Sequence, residues 1–193
     1  DAQYYQALCA VHMYHMDGER MMEAYIDQYP LSPKSVAANY ELATFYYYEK
    51  NYSRSSTYFA KVDFRTLSRE EQNTGHFRWG YSLFTMRKFK EALDQFNAIK
   101  GLGGQYGPAA SYYAGFIESS QSDYANALID LQRAEANPSY ATIVPVLITY
   151  VYYKQKSYDQ LLSYTASVLS KEGISSAAEI SLLAAETHYR KND

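Results

Sequence analysis

Cysteine is almost missing from this chain. Cys9 is the only one in 193 residues, so there is no intrachain disulfide framework, and cysteine usage says nothing about compartment. Histidine is scarce too: His12, His15, His76 and His188 are the full set, and none sits in a catalytic phrase. Basic charge is not in excess, with 18 Lys and Arg against 21 Asp and Glu. A nucleic-acid binder is expected to carry a basic face, so that partner is disfavoured. No long apolar run exists either. The longest, Val144 to Tyr153, falls well short of the ~20 residues that span a bilayer and reads as a buried helix. The residues from Asp1 onward do not form a basic, apolar, small-residue leader, and Cys9 has no hydrophobic segment ahead of it that would make it a lipoprotein cleavage site.

What the chain has is tyrosine: 23 of them, which with Phe and Trp make 17% of the residues aromatic. Tyr offers a large apolar ring and a hydroxyl, so it packs yet tolerates water, and surfaces rich in it often bind. The aromatics are phased. Gly80 is followed by Phe89, Ala92 and Phe96, and the same small/aromatic phrase recurs as Ala43, Tyr52, Ser55, Phe59, then Gly115, Tyr124, Ala127, Leu131, and more loosely as Thr149, Tyr158, Leu161. The anchoring aromatics Tyr52, Phe89, Tyr124 and Tyr158 stand 37, 35 and 34 residues apart. A period near ~34 with this pattern marks helix-turn-helix repeats. The expected fold is therefore all-α: a right-handed superhelical solenoid of antiparallel helix pairs, occupying 1–193 as one repeat domain.

Start and stop signals place the helices. Pairs are expected at about 3–29, 34–62, 69–98, 108–136 and 139–170, with an unpaired helix at 176–190. The first pair turns near Asp17-Gly18. Ser32 caps the next helix, with Pro33 in its first turn where a missing N–H costs nothing, and Asn51 caps its partner. Asp63 to Leu67 is a longer connection. Ser68-Arg69-Glu70-Glu71 is a capping box, and Asn137-Pro138, Ser157-x-x-Gln160 and Ser176-x-x-Glu179 supply later starts. Gly101-Leu102-Gly103-Gly104-Gln105-Tyr106-Gly107 has glycines like a phosphate-binding loop, but no strand precedes it and no Lys-Ser/Thr follows, so it reads as an inter-repeat linker. The last helix closes on Tyr189-Arg190-Lys191-Asn192-Asp193, matching the phrases just before the anchoring aromatics. The expectation is a segment of a longer array, since solenoids normally end in a polar cap.

These phrases resemble tetratricopeptide repeats along essentially the whole chain. Family members carry an aromatic or Leu-Gly pair in the first helix; Trp79-Gly80 and Ala114-Gly115 match it, and Leu42-Ala43 and Ile148-Thr149 match more weakly. Leu161 stands where the family has a small residue, which implies splayed helices in the fourth repeat. Glu118 stands where the family buries a small or aromatic side chain, which implies a place at the rim. A narrower stretch, Ala24-Tyr25-Ile26-Asp27-Gln28-Tyr29-Pro30-Leu31-Ser32-Pro33, is similar to the inter-repeat phrase of bacterial envelope repeat proteins such as periplasmic coordinators and outer-membrane assembly lipoproteins. Long Tyr-rich repeat proteins of Bacteroidetes look most similar. The resemblance implies a periplasmic or outer-membrane-associated location.

In helix-pair solenoids the first helix of each pair lines the concave side. Its offset face carries Tyr40, Thr44 and Tyr47, then Phe77, Tyr81 and Phe84, then Tyr112, Phe116 and Ser119, then Val146, Tyr150 and Tyr153. Spacings of three and four put each set on one stripe, and nine of these twelve positions are aromatic. One reading is an aromatic groove for an extended peptide or partner helix, with Tyr40, Tyr47, Phe77, Tyr81, Phe84, Tyr112, Phe116, Tyr150 and Tyr153 as anchors. The other is that the rings pack on each other and stiffen the array, as helical aromatic stripes commonly do.

The remaining candidates are weaker. Cys9, His12, Met13, His15, Met16, Met21 and Met22 form a soft-ligand cluster in which Cys9, Met13 and Met16 would share a helix face and suit Cu(I). His12 and His15 lack the four-residue spacing of a helical zinc pair, and methionines fill ordinary cores, so no metal or other cofactor is expected. A His76–Glu118 pair across repeats is conceivable, but a solvated or capping histidine is the commoner case. Charge clusters such as Arg69-Glu70-Glu71 and Arg87-Lys88 read as solvated faces. The expected function is a non-catalytic scaffold for a protein or peptide. The alternatives are a glycan-binding outer-membrane lipoprotein component, disfavoured because no long loop insertions are available to build a sugar pocket, or a purely structural spacer.

Overall fold

A computed structural model describes residues 2–192. Asp193, the last residue of the closing phrase, lies outside them. The described residues are α-helical and contain no strand: α1 Ala2–His12, α2 Gly18–Gln28, α3 Pro33–Tyr48, α4 Tyr52–Phe59, α5 Arg69–Thr85, α6 Phe89–Asn97, α7 Tyr106–Ser120, α8 Tyr124–Glu135, α9 Pro145–Lys154, α10 Tyr158–Leu169 and α11 Ala177–Asn192. They fall into two compact units, Asp1–Gln95 and Phe96–Asp193, rather than one. No described helix is long and apolar enough to cross a membrane.

Several helix starts follow from the residues that precede them. The Ser32 hydroxyl accepts the Lys34 amide ahead of Pro33, and the Asn51 carboxamide accepts the Arg54 amide. Ser68 and Glu71 close a reciprocal capping box, Ser68 Oγ accepting the Glu71 amide at 3.3 Å and Glu71 Oε2 accepting the Ser68 amide at 2.8 Å. Such caps satisfy orphan donors of the first turn and are worth ~1 kcal/mol each. Ser157, in contrast, makes no side-chain cap for α10. The helix expected from residue 139 starts only at Pro145. A helical turn forms over 137–144, where Val144 donates to Tyr140, but Pro145 has no N–H with which to continue the ladder.

The first helix of each pair ends alike. Lys50, Arg87, Ser122 and Lys156 all adopt left-handed backbone (φ 57°, 59°, 65° and 58°). Each sits two residues before an anchoring aromatic. Beyond each, the next amide reaches back to close the helix: Asn51 to Tyr46 O, Lys88 to Leu83 O, Asp123 to Glu118 O and Ser157 to Tyr152 O, at 2.9–3.0 Å. This is a Schellman closure built without glycine. Tyr14 (φ 53°) repeats it in the first pair, with His15 donating to Ala10 O. The repeat phase read from side chains is thus written in the backbone as well.

In the first unit one core gathers Tyr4, Ala7, Val11, Met22, Tyr25, Ala38, Leu42 and Tyr46, and another Tyr40, Ala43, Phe59 and Val62. The small residues mark close approach. Ser55 Oγ donates to the Ala43 carbonyl at 2.9 Å, fully buried, and a Cβ on Gly18 would lie 2.7 Å from the Ala10 backbone. The connection after α4 is more than a spacer: Phe64–Thr66 forms a 3-10 turn, and the Phe64 ring stacks on His76 (4.3 Å) and Trp79 (5.7 Å). In the second unit Ala127, Leu131, Ala134, Val144, Ile148 and Val151 make the core. A Cβ on Gly115 would meet Leu131 Cγ at 2.7 Å, so only glycine lets α7 and α8 close this tightly. Leu161 is itself fully buried, and α9 packs on α10 less extensively than α7 on α8, in line with a bulky residue at a close-contact position.

Candidate binding groove

In the first unit the aromatic stripe is largely consumed by its own packing. Tyr40 is 8% exposed, sits edge-on to Phe59 at 5.9 Å and donates its hydroxyl to the Glu71 carbonyl. It is a core residue, and its place among the expected anchors is corrected here, because a ring already out of water has no surface to give a partner. Tyr47, Tyr52 and Tyr81 form a three-ring cluster with centroids 5.7–6.1 Å apart and edge-to-face geometry. Phe77 stacks on Tyr81 at 6.3 Å, and Phe84 packs on Phe89 at 5.8 Å. Burial, with Tyr81 and Tyr52 adding to it, pushes the Tyr47 phenol up to about 12. Arg78 locks the edge: it donates to Thr44 Oγ1 (3.1 Å) and to the Tyr48 hydroxyl (2.7 Å), with its guanidinium over the Tyr48 ring. Arg78 was not anticipated, although a cation three residues before Tyr81 on one helix face was available as a signal.

The second unit treats the same stripe differently. Tyr112 is half-buried against Tyr113 and Tyr140 (5.2 and 5.3 Å), and Tyr153 is tied to α11, donating to Glu186 at 2.5 Å with Arg190 over its ring. Phe116 and Tyr150, however, are 37% and 42% exposed. They converge on a groove of about 400 Å³ lined by Phe116, Ser119, Ser120, Ser122, Tyr124, Leu147, Tyr150 and Lys154. Its walls are the end of α7, the α7–α8 turn, the start of α8 and one face of α9. The difference traces to two positions. Four and five residues after Ala43 in the first unit stand Tyr47 and Tyr48, but after Gly115 in the second stand Ser119 and Ser120. Where the Tyr47 ring packs on Tyr52, Ser119 and Ser120 line the groove beside Tyr124.

Glu118 lies next to this groove in sequence but points the other way. It is 4% exposed, not at the rim. The correction follows from its partners: Lys100 Nζ lies 3.5 Å from Glu118 Oε1 and also pairs with the buried Asp130, which Arg133 holds at 2.6 Å. Glu118 Oε2 is buried with no hydrogen-bond partner among the described residues. Burial above all, and then the neighbouring Asp130 charge, raise the Glu118 carboxyl to about 7, with Lys100 opposing.

The other candidates separate. His76 donates to or accepts from Gln95 (2.9 Å) under the Phe64 ring, so each member of the conceived His76–Glu118 pair is engaged elsewhere. A His–carboxylate contact does occur at His12–Glu41 (2.8 Å), on a small pocket with Val11, Tyr14, Thr44, Phe45 and Tyr48. The soft-ligand face is not formed: α1 ends at His12, so exposed Met13 and Met16 lie beyond the helix that carries Cys9, and Met22 is core. Among the described residues no three His, Cys, Asp or Glu are grouped to hold a metal. No family model matches the chain, and no curated protein matches it.

Proposed function

We propose that the chain is a non-catalytic scaffold of tetratricopeptide-like repeats, forming a right-handed solenoid, that holds a protein or peptide segment in the groove of its second unit. One observation carries this reading: Phe116 and Tyr150, two anchors named from sequence phase alone, keep more than a third of their surface in water and line a single cavity. Exposed aromatic rings in a concave, mostly preformed site are the usual anchors for an extended segment. The rings of the first unit act instead as the stiffening layer. The sugar-binding alternative is less favoured, since no Asp, Glu, Asn or Gln lines the groove to hydrogen-bond ring hydroxyls. A periplasmic or outer-membrane-associated location goes with the repeat phrase at Ala24 to Pro33. The test is selection from a random-peptide display library on the whole chain, repeated with Tyr150→Ala. Peptides retained by the wild type and lost by the folded variant support the reading. Peptides retained equally by both, or none from either, refute it.

A further inference from the structure

The groove is not electrically neutral. No Asp or Glu lines it, and Lys154 is its one charged residue. Lys154 stands one turn after Tyr150 on α9, its Nζ held 5.1 Å from that ring's centroid, and it makes no ion pair among the described residues. The serine hydroxyls are unequally committed. Ser120 Oγ donates to the Ile117 carbonyl at 2.6 Å, and Ser122 Oγ accepts from the Tyr124 hydroxyl at 3.3 Å. Ser119 Oγ makes no hydrogen bond among the described residues. An aromatic floor is thus bordered by one uncompensated ammonium and one uncommitted hydroxyl.

The backbone of the α7–α8 turn bears on which kind of anion fits. A chain-terminal carboxylate is captured by converging backbone N–H groups. Here the amides beside the groove are spent closing α7: Gln121 donates to Ile117 O, Ser122 to Ser119 O and Asp123 to Glu118 O. On the α7 side of the groove only side-chain donors remain. Resting on the peptide reading above, we propose that the groove selects an internal segment in which an aromatic side chain is followed by Asp or Glu. The ring sets against Phe116 and Tyr150, and the acidic side chain meets Lys154 and Ser119.

Capped heptapeptides with a central Tyr-Glu, Tyr-Gln or Ala-Glu pair in a Gly/Ser background test this, together with the Tyr-Gln peptide bearing a free C-terminal acid. Each is titrated into the whole chain while tyrosine ring signals are followed by NMR. Tyr-Glu should bind about three- to tenfold tighter than capped Tyr-Gln at low salt, as a partly exposed charge-assisted contact does. That margin should shrink with salt and vanish in Lys154→Gln. If Tyr peptides bind without an acid preference, or Lys154→Gln leaves the preference intact, the acidic reading is overturned and the groove stands. If the free-acid Tyr-Gln peptide matches Tyr-Glu, a terminal carboxylate is the ligand and the internal segment is wrong. If no peptide moves Tyr150, the groove reading falls, and the selectivity with it.

Discussion

The two units carry the same aromatic stripe and use it in opposite ways. In the first, Tyr47, Tyr52 and Tyr81 interlock and Arg78 fastens their edge. In the second, Phe116 and Tyr150 keep 37% and 42% of their surface exposed along a groove. A repeat pattern therefore fixes where aromatic residues fall along the helix, while the residues around each ring set how much of it stays exposed. Tyr47 packs on Tyr52, whereas Ser119 and Ser120 line the groove.

The largest expected contrast is in stability. Tyr81→Ala should cost about 2–3 kcal/mol in urea or thermal unfolding, because it removes the ring contacts with Tyr47, Tyr52 and Phe77 from a half-buried cluster. Tyr150→Ala should cost less than about 1 kcal/mol, as exposed truncations do. Equal costs would erase the distinction between a packed and an open stripe.

A comparable effect is expected with pH, confined to the second unit. Position three after the small residue is Tyr46 in the first unit and Glu118 in the second, both buried. The Glu118 carboxyl holds its proton to about 7, against an ordinary 4.5, so the folded state binds the proton more tightly than the unfolded one. Stability is then greatest below about pH 4.5 with respect to this group and falls as pH rises to about 7, by on the order of 2–3 kcal/mol. Hydrogen exchange corrected for intrinsic rates should show α7 and α8 opening more readily at pH 8 than at pH 5.5, with Glu118→Gln abolishing the trend. A pH-independent α7–α8 in the wild type would contradict the buried, protonated state.

The smallest but most direct change converts one unit into the other. The Ser119→Tyr/Ser120→Tyr variant should fill the groove, weakening display-selected peptides at least tenfold, or about 1.4 kcal/mol, while stability stays within about 1 kcal/mol of wild type. Unimpaired binding would place the site elsewhere.

Sequence periodicity pointed to the all-α class and put Phe116 and Tyr150 on one phase, although α9 begins six residues later than expected. It missed what periodicity does not encode. The helix ends use left-handed Lys50, Arg87, Ser122 and Lys156, where glycine is the recognisable signal. Phe64 sits in a connection whose packing role appears only when its ring meets His76 and Trp79. Tyr40 shares its phase with Tyr112, yet the residues around it, Phe59 and the Glu71 carbonyl, bury it. Glu118 is expected at the rim because the resembled family buries a small or aromatic side chain there, and the compensating Lys100 comes from another segment of the chain.

The most direct test of the central claim is an NMR map of ring signals on adding a display-selected peptide to the whole chain. Perturbations concentrated at Phe116, Tyr124 and Tyr150, with Tyr47 and Tyr81 unmoved, are the predicted result. Shifts centred on Tyr47 and Tyr81, with Tyr150 silent, would contradict it.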